Sequence, residues 1–476
     1  MPEYVPSVGM EVHAELATRS KMFCRCAVAF GGEPNTRTCP VCLALPGTLP
    51  VPNKAAVEMV VRTALALNCK INYKSGFQRK NYFYPDIPKG YQISQYQHPL
   101  GYDGYLDLPS GKRIQIRRVH LEEDTGKLMH LPQGGSGVDY NRAGVPLMEV
   151  VTEFPPDITN AEDAKEYLVQ LRQILLYLGV CDGKMEEGSL RCEPNISVRP
   201  VGSDVYGTKT ELKNLNSFRS VQLGVGFEVR RQVAVLEHGD RVIQETRGWN
   251  EQREASFSMR VKESENDYRY FSDPDLLPMV LGEGYIEELR KTLPELPLAK
   301  TRRYEETLGL SAYDAGVLSD DMEWAGYFDE AVQAGGDPKT ICNLLTQDFA
   351  SLLKEDGITP RQSNISPPNL VELSQLIAKG AISSKMGKGV LKEMFRTGKS
   401  AQSVVQEQGL SQITDSSEIE AVVAKVLEQH AEVVAKYRSG QTNVKGFLVG
   451  QAMRASAGRA NPGMVQEIVT KQLENG

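Results

Sequence analysis

Four cysteines, Cys24, Cys26, Cys39 and Cys42, fall within nineteen residues as a Cys-x-Cys pair, twelve intervening residues and a Cys-x-x-Cys pair. Two short pairs on separate turns can gather four thiolates tetrahedrally around Zn²⁺, and with every position filled by protein such an ion is structural rather than catalytic. The bland alternative is a set of core thiols. Cys69, Cys181, Cys192 and Cys342 are scattered without ligand spacing and are expected to be buried and free.

A second set is built for hard ions. If Val8–Glu15 is a strand, Val8, Met10, Val12 and Ala14 share an apolar face and Glu11, His13 and Glu15 share the other. Glu11 and His13, two apart on one face, can both reach one ion, although a solvated face would look the same. The strand-like run Arg113–Leu121 ends in Glu122, Glu123 and Asp124. Three successive carboxylates repel one another and so need exposure, basic neighbours or a cation. Further carboxylates recur beside glycines or aromatics at Asp139, Glu149, Glu186 and Glu187. Such oxygen ligands suit Mg²⁺, which keeps waters for a phosphate to displace. Arg79, Lys80, Arg117, Arg118, Lys209 and Lys213 offer phosphate partners, each of which taken singly is an ordinary surface charge.

Other motifs fail on spacing. Gly398-Lys399-Ser400 resembles the end of a phosphate-binding loop, but the glycine required earlier is Glu393. Ser383-Ser384-Lys385 lacks the context of a Ser–Ser–Lys amidase and reads as a helix start.

The elements that must position these groups follow from pattern. Strand-rich, Gly- and Pro-punctuated sequence fills the first ~290 residues, a region larger than the usual domain. A hairpin is expected at Gly104–Leu108 and Arg113–Leu121, turning through Pro109–Lys112. Ala164, Tyr167, Leu168, Leu171, Ile174, Leu175 and Leu178 recur at helical spacing, with Thr159 or Asn160 as cap and Gly179 as stop. Strands with helices in one region indicate an α+β fold. After Thr301 the pattern is helical, broken at Gly357–Pro368 and again by the polar stretch Thr397–Gln412. A last unit opens with a Ser417/Glu420 capping box and an apolar stripe of Ile419, Val422, Val423, Val426, Leu427 and Val434, followed by helices near Val444–Ala455 and Pro462–Leu473.

The 476 residues carry a net charge of -7, with 41% apolar and 24% charged residues, which argues against a disordered or fibrous chain. The acidic total counts against coating nucleic acid by bulk charge. Val57–Leu67, the most membrane-like stretch, is interrupted by Glu58 and Arg62, and the N-terminus lacks a secretory pattern, so a cytoplasmic protein without a membrane partner is expected. From Lys436 to Lys471, however, six Lys and Arg face Glu467 alone, a local charge of +5. That stretch is either an RNA-backbone contact or a helical cap with solvated lysines.

Taken together, the runs Gly9–Leu16, Arg79–Asp86, His120–Lys127, Asp139–Leu147, Lys184–Cys192, Asp267–Phe271 and Gly446–Gln451 closely resemble the B-subunit (GatB) family of the tRNA-dependent amidotransferases, over nearly the whole chain. The resemblance implies a large mixed-sheet, cradle-like catalytic domain at 1–293 with a zinc-binding insertion at 24–42. An all-helical domain at 294–404 and a small helical YqeY-like tail at 405–476 that grips tRNA would follow. It implies ATP- and Mg²⁺-dependent phosphorylation of the side-chain carboxylate of Glu-tRNA(Gln), and in many organisms Asp-tRNA(Asn), followed by displacement of phosphate by ammonia. Ammonia would come from glutamine on a separate amidase (glutaminase) partner, the A subunit, with a small C subunit making up a heterotrimer. Carried onto this chain, Glu11 and His13 become metal-site residues, with Glu122, Glu123 and Glu149 as direct or water-mediated ligands. Lys80 either guides ammonia or closes a salt bridge in an aromatic strand. Asn81, Tyr82, Tyr84, Ser94, Gln95, Asn141, Arg142, Glu186, Arg191 and Asn195 become candidates for the ATP and substrate pocket, and Lys445, Arg454 and Arg459 for tRNA contact. The competing reading is a zinc-stabilised tRNA-binding scaffold whose carboxylates are structural.

Overall fold

The computed structural model describes residues 3–131, 134–261, 268–410, 416–456, 460 and 462–474. The chain divides into two compact units, 1–299 and 300–476.

The first unit is organised by a nine-stranded sheet. Its strands are β1 (Tyr4–Glu15), β2 (Lys70–Ile71), β3 (Gly101–Asp107), β4 (Arg113–Glu123), β5 (Pro146–Thr152), β6 (Leu190–Pro200), β7 (Thr210–Lys213), β8 (Glu245–Asn250) and β9 (Ala255–Val261). Their spatial order is β9-β8-β7-β6-β1-β5-β4-β3-β2, antiparallel throughout except for β7 with β8. The first strand therefore lies at the centre, between β5 and β6. Alternation along β1 is as expected: Val8, Met10, Val12 and Ala14 are buried, and Glu11, His13 and Glu15 are half-buried on the other side.

Three long helices supply most of the helical side of this unit's apolar core, and the short helix Glu283–Lys291 adds Ile286. The long helices are α1 (Lys54–Ala66), α2 (Ala161–Tyr177) and α3 (Phe218–Glu237), and their buried residues join the inward residues of β1, β4 and β5 in one cluster. Asn53 caps α1 and Asn160 caps α2, the latter accepting from the Asp163 N–H at 2.8 Å; such caps contribute about 1 kcal/mol each. Glycine is required at 104, where β3 passes beneath the end of α1. A Cβ there would come 2.6 Å from the Leu67 carbonyl oxygen. A small sheet of Gln78–Asn81, Tyr91–Ser94 and Phe271–Ser272 lies beside the far end of β4. The hairpin joining β3 and β4 closes where the sequence places it, with the Leu108 N–H donating to the Lys112 carbonyl at 2.8 Å.

The second unit is helical and holds two separate apolar clusters, one drawn from Tyr304 to Val404 and one from Ile419 to Leu473. Ser383 caps the helix Ser384–Thr397, and Gly398 ends it in the left-handed region, which accounts for both motifs dismissed on spacing. The capping box expected at Ser417 sits one residue inside the helix rather than before it. The helix starts at Ser416, so Ser417 already lies in the first turn; residues 411–415 fall outside the described residues. That helix ends at Gln429 and Val434 belongs to the next, Ala431–Arg438, so the apolar stripe is shared by two helices. Among the described residues no helix is long and apolar enough to cross a membrane.

Candidate functional site

Strand register assembles the site. His13 pairs with Glu149 across β1–β5, and Glu149 pairs with His120 across β5–β4. On the opposite side, Arg191 pairs with His13, Glu193 with Glu11, and Asn195 with Gly9, while Glu211 pairs with Asn195. Directly paired residues of antiparallel strands project from the same face, so these side chains form one polar surface opposite the helices. Glu122, two residues beyond His120, joins it.

At its centre two imidazoles and two carboxylates alternate. His13 Nε2 lies 3.4 Å from Glu122 Oε1 and 3.9 Å from Glu149 Oε1. His120 Nε2 lies 2.9 Å from Glu149 Oε2 and 3.7 Å from Glu122 Oε2. Burial by itself pulls the His13 imidazole down, but Glu149 and Glu122 overcome it and hold the pKa at about 9. His120 is raised for the same reasons. Glu149, which burial pushes up, is carried down to about 2 by His120 and His13. With no ion present, the two carboxylates favour the charged form of both imidazoles.

Two groups of ligand atoms lie on this face, each with its atoms within 4.8 Å of one another: His13, Glu122 and Glu149, and beside it Glu11, Glu193 and Glu211. Glu11 and His13 therefore belong to neighbouring groups rather than to one. The second group is all carboxylate, as a hard ion prefers. Lys213 lies 2.7 Å from Glu193, Asn195 Nδ2 donates to Glu11 at 2.9 Å, and Thr246 Oγ1 donates to Glu211 at 2.7 Å. Among the described residues Asn195 Oδ1 and His120 Nδ1 are buried without a hydrogen-bond partner, which leaves polar capacity on a face already rich in ligands. Both groups fit a divalent cation that retains water, the first with an imidazole in its set and the second with oxygen alone.

The three successive carboxylates find three different partners. Glu122 takes the imidazoles and accepts from Ser94 Oγ at 3.2 Å. Glu123 projects to the other side of β4, where Lys89 Nζ approaches to 2.6 Å and the Ile93 N–H donates at 3.0 Å; the structure does not bring it into either ligand group. Asp124 lies 2.9 Å from Arg191 Nη1 and 3.6 Å from Arg142 Nε. Burial opposes its ionisation, yet the two guanidiniums hold it below the usual carboxylate range. Glu15 is pushed up to about 7 by burial and by the Asp124 charge.

The remaining sequence candidates separate by what they touch. Lys80 makes no ion pair among the described residues; its ammonium lies 4.8 Å from the Tyr268 ring centroid and 5.9 Å from that of Tyr82. Burial disfavours its charge, but Tyr270, Glu122, Tyr82 and Glu149 raise the pKa above that of an ordinary lysine. The salt-bridge alternative is thus replaced by an aromatic enclosure in the field of the acidic face. Tyr84 is exposed. Asn81 is occupied by the Tyr268 and Arg269 carbonyls, at 3.1 and 2.9 Å. Gln95 accepts from the Leu121 N–H and donates to Ser75, bracing β4 rather than opening to solvent. Asn141 clamps the cysteine loop through the Arg37 N–H and the Glu33 carbonyl, both at 2.7 Å. Arg142 donates to the Thr125 and Gly126 carbonyls. Glu186 is exposed and lies in neither ligand group. Lys445 opens the helix Lys445–Ala455 and Arg454 is exposed near its end, whereas Arg459 lies outside the described residues.

The sequence reading missed His120, Glu193 and Glu211 as ligand-face residues. Counting back by two from Glu122, or forward by two from Arg191, would have found the first two.

The cysteine quartet closes as a separate centre, with its four sulfurs within 4.8 Å of one another. A tetrahedral zinc with bonds of about 2.3 Å needs sulfurs roughly 3.8 Å apart, so the set fits the ion with little rearrangement. Cys69, Cys181, Cys192 and Cys342 are buried and free.

The chain matches the family model for the GatB/GatE catalytic domain over residues 6–287 and that for the GatB domain over residues 326–473. It is 49% identical over 475 residues, covering 99% of this chain and 100% of the relative, to the B subunit of the aspartyl/glutamyl-tRNA(Asn/Gln) amidotransferase of Thermodesulfovibrio yellowstonii. The chain belongs to the amidotransferase B-subunit family. The B subunits of Moorella thermoacetica and Persephonella marina are similar to it at 50% and 49% identity, each over 477 residues, 99% of this chain and 100% of the relative. In this GatB-family chain both ligand groups and the cysteine quartet fall inside the catalytic-domain match, and Lys445 and Arg454 inside the second.

Proposed function

We propose that this chain is the activating and amide-forming subunit of a tRNA-dependent amidotransferase. It phosphorylates the side-chain carboxylate of Glu-tRNA(Gln), and of Asp-tRNA(Asn), with ATP, and delivers ammonia to the acyl phosphate to give Gln-tRNA(Gln) or Asn-tRNA(Asn). The observation that carries this reading is the pair of adjacent ligand groups on one sheet face, His13/Glu122/Glu149 and Glu11/Glu193/Glu211. Phosphoryl transfer needs positioning and charge neutralisation more than it needs covalent catalysis. These residues would hold Mg²⁺, which would supply charge neutralisation as phosphate and carboxylate approach one another.

The chain's own residues have complementary tasks. His120 and Asn195 orient ligating carboxylates, and Lys213 limits repulsion within the second group. Arg191 and Arg142, already held by Asp124, present positive charge at the rim for a phosphate or the tRNA 3′ end. Lys80, in its aromatic enclosure, guides ammonia toward the same face. The names of the relatives support a multi-subunit assembly, here with an amidase partner and a small third partner, acting in the cytoplasm on misacylated tRNA. Residues 1–293 carry the chemistry, 294–404 form a helical connector, and the tail at 405–476 holds tRNA through Lys445, Arg454 and Arg459.

The test is a reconstituted assay with the amidase partner, ATP, glutamine and each misacylated tRNA in turn. Amidated tRNA and ADP are expected in step. No ATP cleavage with intact Glu-tRNA(Gln) and Asp-tRNA(Asn) would overturn the reading in favour of a binding scaffold.

A further inference from the structure

Lys21 is one of the largest fully buried side chains of the protein, with 1% of its surface exposed. Its ammonium has two polar partners, the Cys42 sulfur at 3.6 Å and the Tyr140 carbonyl oxygen at 3.1 Å. It forms no ion pair with a carboxylate among the described residues; Glu123, which lines the same cavity of about 260 Å³, is taken by Lys89 at 2.6 Å. A buried ammonium without an anion is strongly destabilising, because the field lost with its hydration shell is not replaced. Four thiolates around a dication supply two negative charges.

We propose that Lys21 is a positioning residue of the cysteine metal centre: its ammonium offsets the charge of a zinc tetrathiolate through Cys42 and ties that centre to the turn at Tyr140. The backbone around it has the matching role. The Lys21 N–H donates to the Cys26 carbonyl at 3.0 Å, the Met22 N–H to the Gly144 carbonyl at 2.7 Å, and the Cys39 N–H to the Cys42 sulfur at 3.2 Å. Lys21 thus touches both cysteine pairs, the first through its backbone and the second through its side chain. From Tyr140 the connection runs on. Asn141 clamps the cysteine loop at the Arg37 N–H, and Arg142 reaches Thr125, Gly126 and Asp124 at the rim of the acidic face. Loading the quartet therefore fixes the turn that carries Arg142.

The experiment compares the full-length wild type with Lys21→Met and Lys21→Gln. Zinc affinity is read by chelator competition and thermal melting is followed in zinc-loaded and zinc-stripped protein. Outer partners of a metal centre typically change affinity 10–100-fold, and both neutral variants are expected to bind zinc at least about tenfold more weakly. Both should melt below wild type when loaded, with a smaller deficit when stripped, because the tetrathiolate charge that the ammonium offsets is then gone. Unchanged zinc affinity, or an equal deficit in both states, would overturn the proposal. If neither variant folds, native mass spectrometry of wild type decides. One zinc per chain, with the four thiols protected from alkylation, supports it, and a folded chain without metal refutes it. None of these readouts uses amide formation, so the outcome is independent of the reading of the acidic face.

Discussion

The catalytic unit carries two kinds of ligand cluster, and they differ in how they are closed. The cysteine quartet comes from two turns within a nineteen-residue span, and its four sulfurs are enough to fill a tetrahedral zinc site with no position left for substrate. The acidic face draws on five strands, from Glu11 to Glu211, and each of its groups supplies three donors. A local, soft and filled site belongs to the architecture. A dispersed set of three hard donors would, with Mg²⁺ bound, leave room for phosphate and water. The contrast teaches that ligand count and openness, more than the presence of ligands, separate a staple from a reaction centre.

The largest expected effect breaks this comparison at its open end. His13→Ala and Glu193→Gln should each lower the rate of amide formation on the order of 10³-fold, the scale of losing a positioned electrostatic group. The affinity for tRNA should change less than about twofold, as measured by filter binding at fixed salt. Equal losses in rate and affinity would instead make the face a binding surface. Next comes the closed end. Zinc removal, or Cys39→Ser, should lower the melting temperature by several degrees while the remaining folded protein keeps its rate within about tenfold. A loss as deep as that of His13→Ala would erase the distinction.

How much of this was legible follows from where the information lies. The alternation of β1, the β3–β4 hairpin and the Asn160 cap are written in adjacent residues, and the structure has all three. The same holds for the cysteine spacing and for the helices Lys445–Ala455 and Pro462–Glu474. The acidic face is not local. That Glu149 faces His13, and Glu193 faces Glu11, depends on β1 sitting between strands more than a hundred residues away, and no periodicity encodes that register. Asn141 and Asn81 misled for a related reason. An asparagine in a conspicuous motif can be spent on backbone groups of a distant loop, as both are here. The helix start differs by a residue or two from the expected Ser417 box because capping patterns place a boundary only that closely.

Acid and alkali should act on the two clusters in opposite senses. In chelator-treated protein, His13 is raised from 6.5 to about 9 and Glu149 lowered from 4.5 to about 2 by largely the same charge pairs. A raised imidazole contributes stability that is complete below 6.5 and lost as pH rises through 9. A lowered carboxylate contributes stability that is complete above 4.5 and lost as pH falls through 2. Urea unfolding without metal should therefore show this contribution intact between 4.5 and 6.5 and falling toward 9, by on the order of 3 kcal/mol. The cysteine centre should lose zinc in acid instead, because its thiolates must be deprotonated to bind. Release of zinc on alkalinisation, or metal-free stability that is flat from 6.5 to 9, would contradict this assignment of charges.

The smallest effect on activity is expected where the two regions meet. Glu122 and Glu123 are neighbours in sequence, yet the pleat of β4 sends Glu122 to the imidazoles and Glu123 to Lys89, in the cavity lined by Cys24 and Cys42. Glu122→Gln should therefore reduce amide formation as steeply as His13→Ala. Glu123→Gln leaves the half-buried Lys89 without its carboxylate and should cost about 3 kcal/mol of stability, near the lower end for breaking a buried pair. The rate of the folded Glu123→Gln protein at moderate temperature should stay within about threefold of wild type, since general positioning losses far smaller than 10²-fold are expected of a group outside the reacting set. Replacing Lys89 by Met alongside it should recover part of the stability and leave the rate where it was, because the unpaired charge rather than the missing hydrogen bond carries most of the cost. A rate loss in Glu123→Gln comparable to that in Glu122→Gln would mean that the end of β4 acts as one unit and that the two regions are not chemically separate.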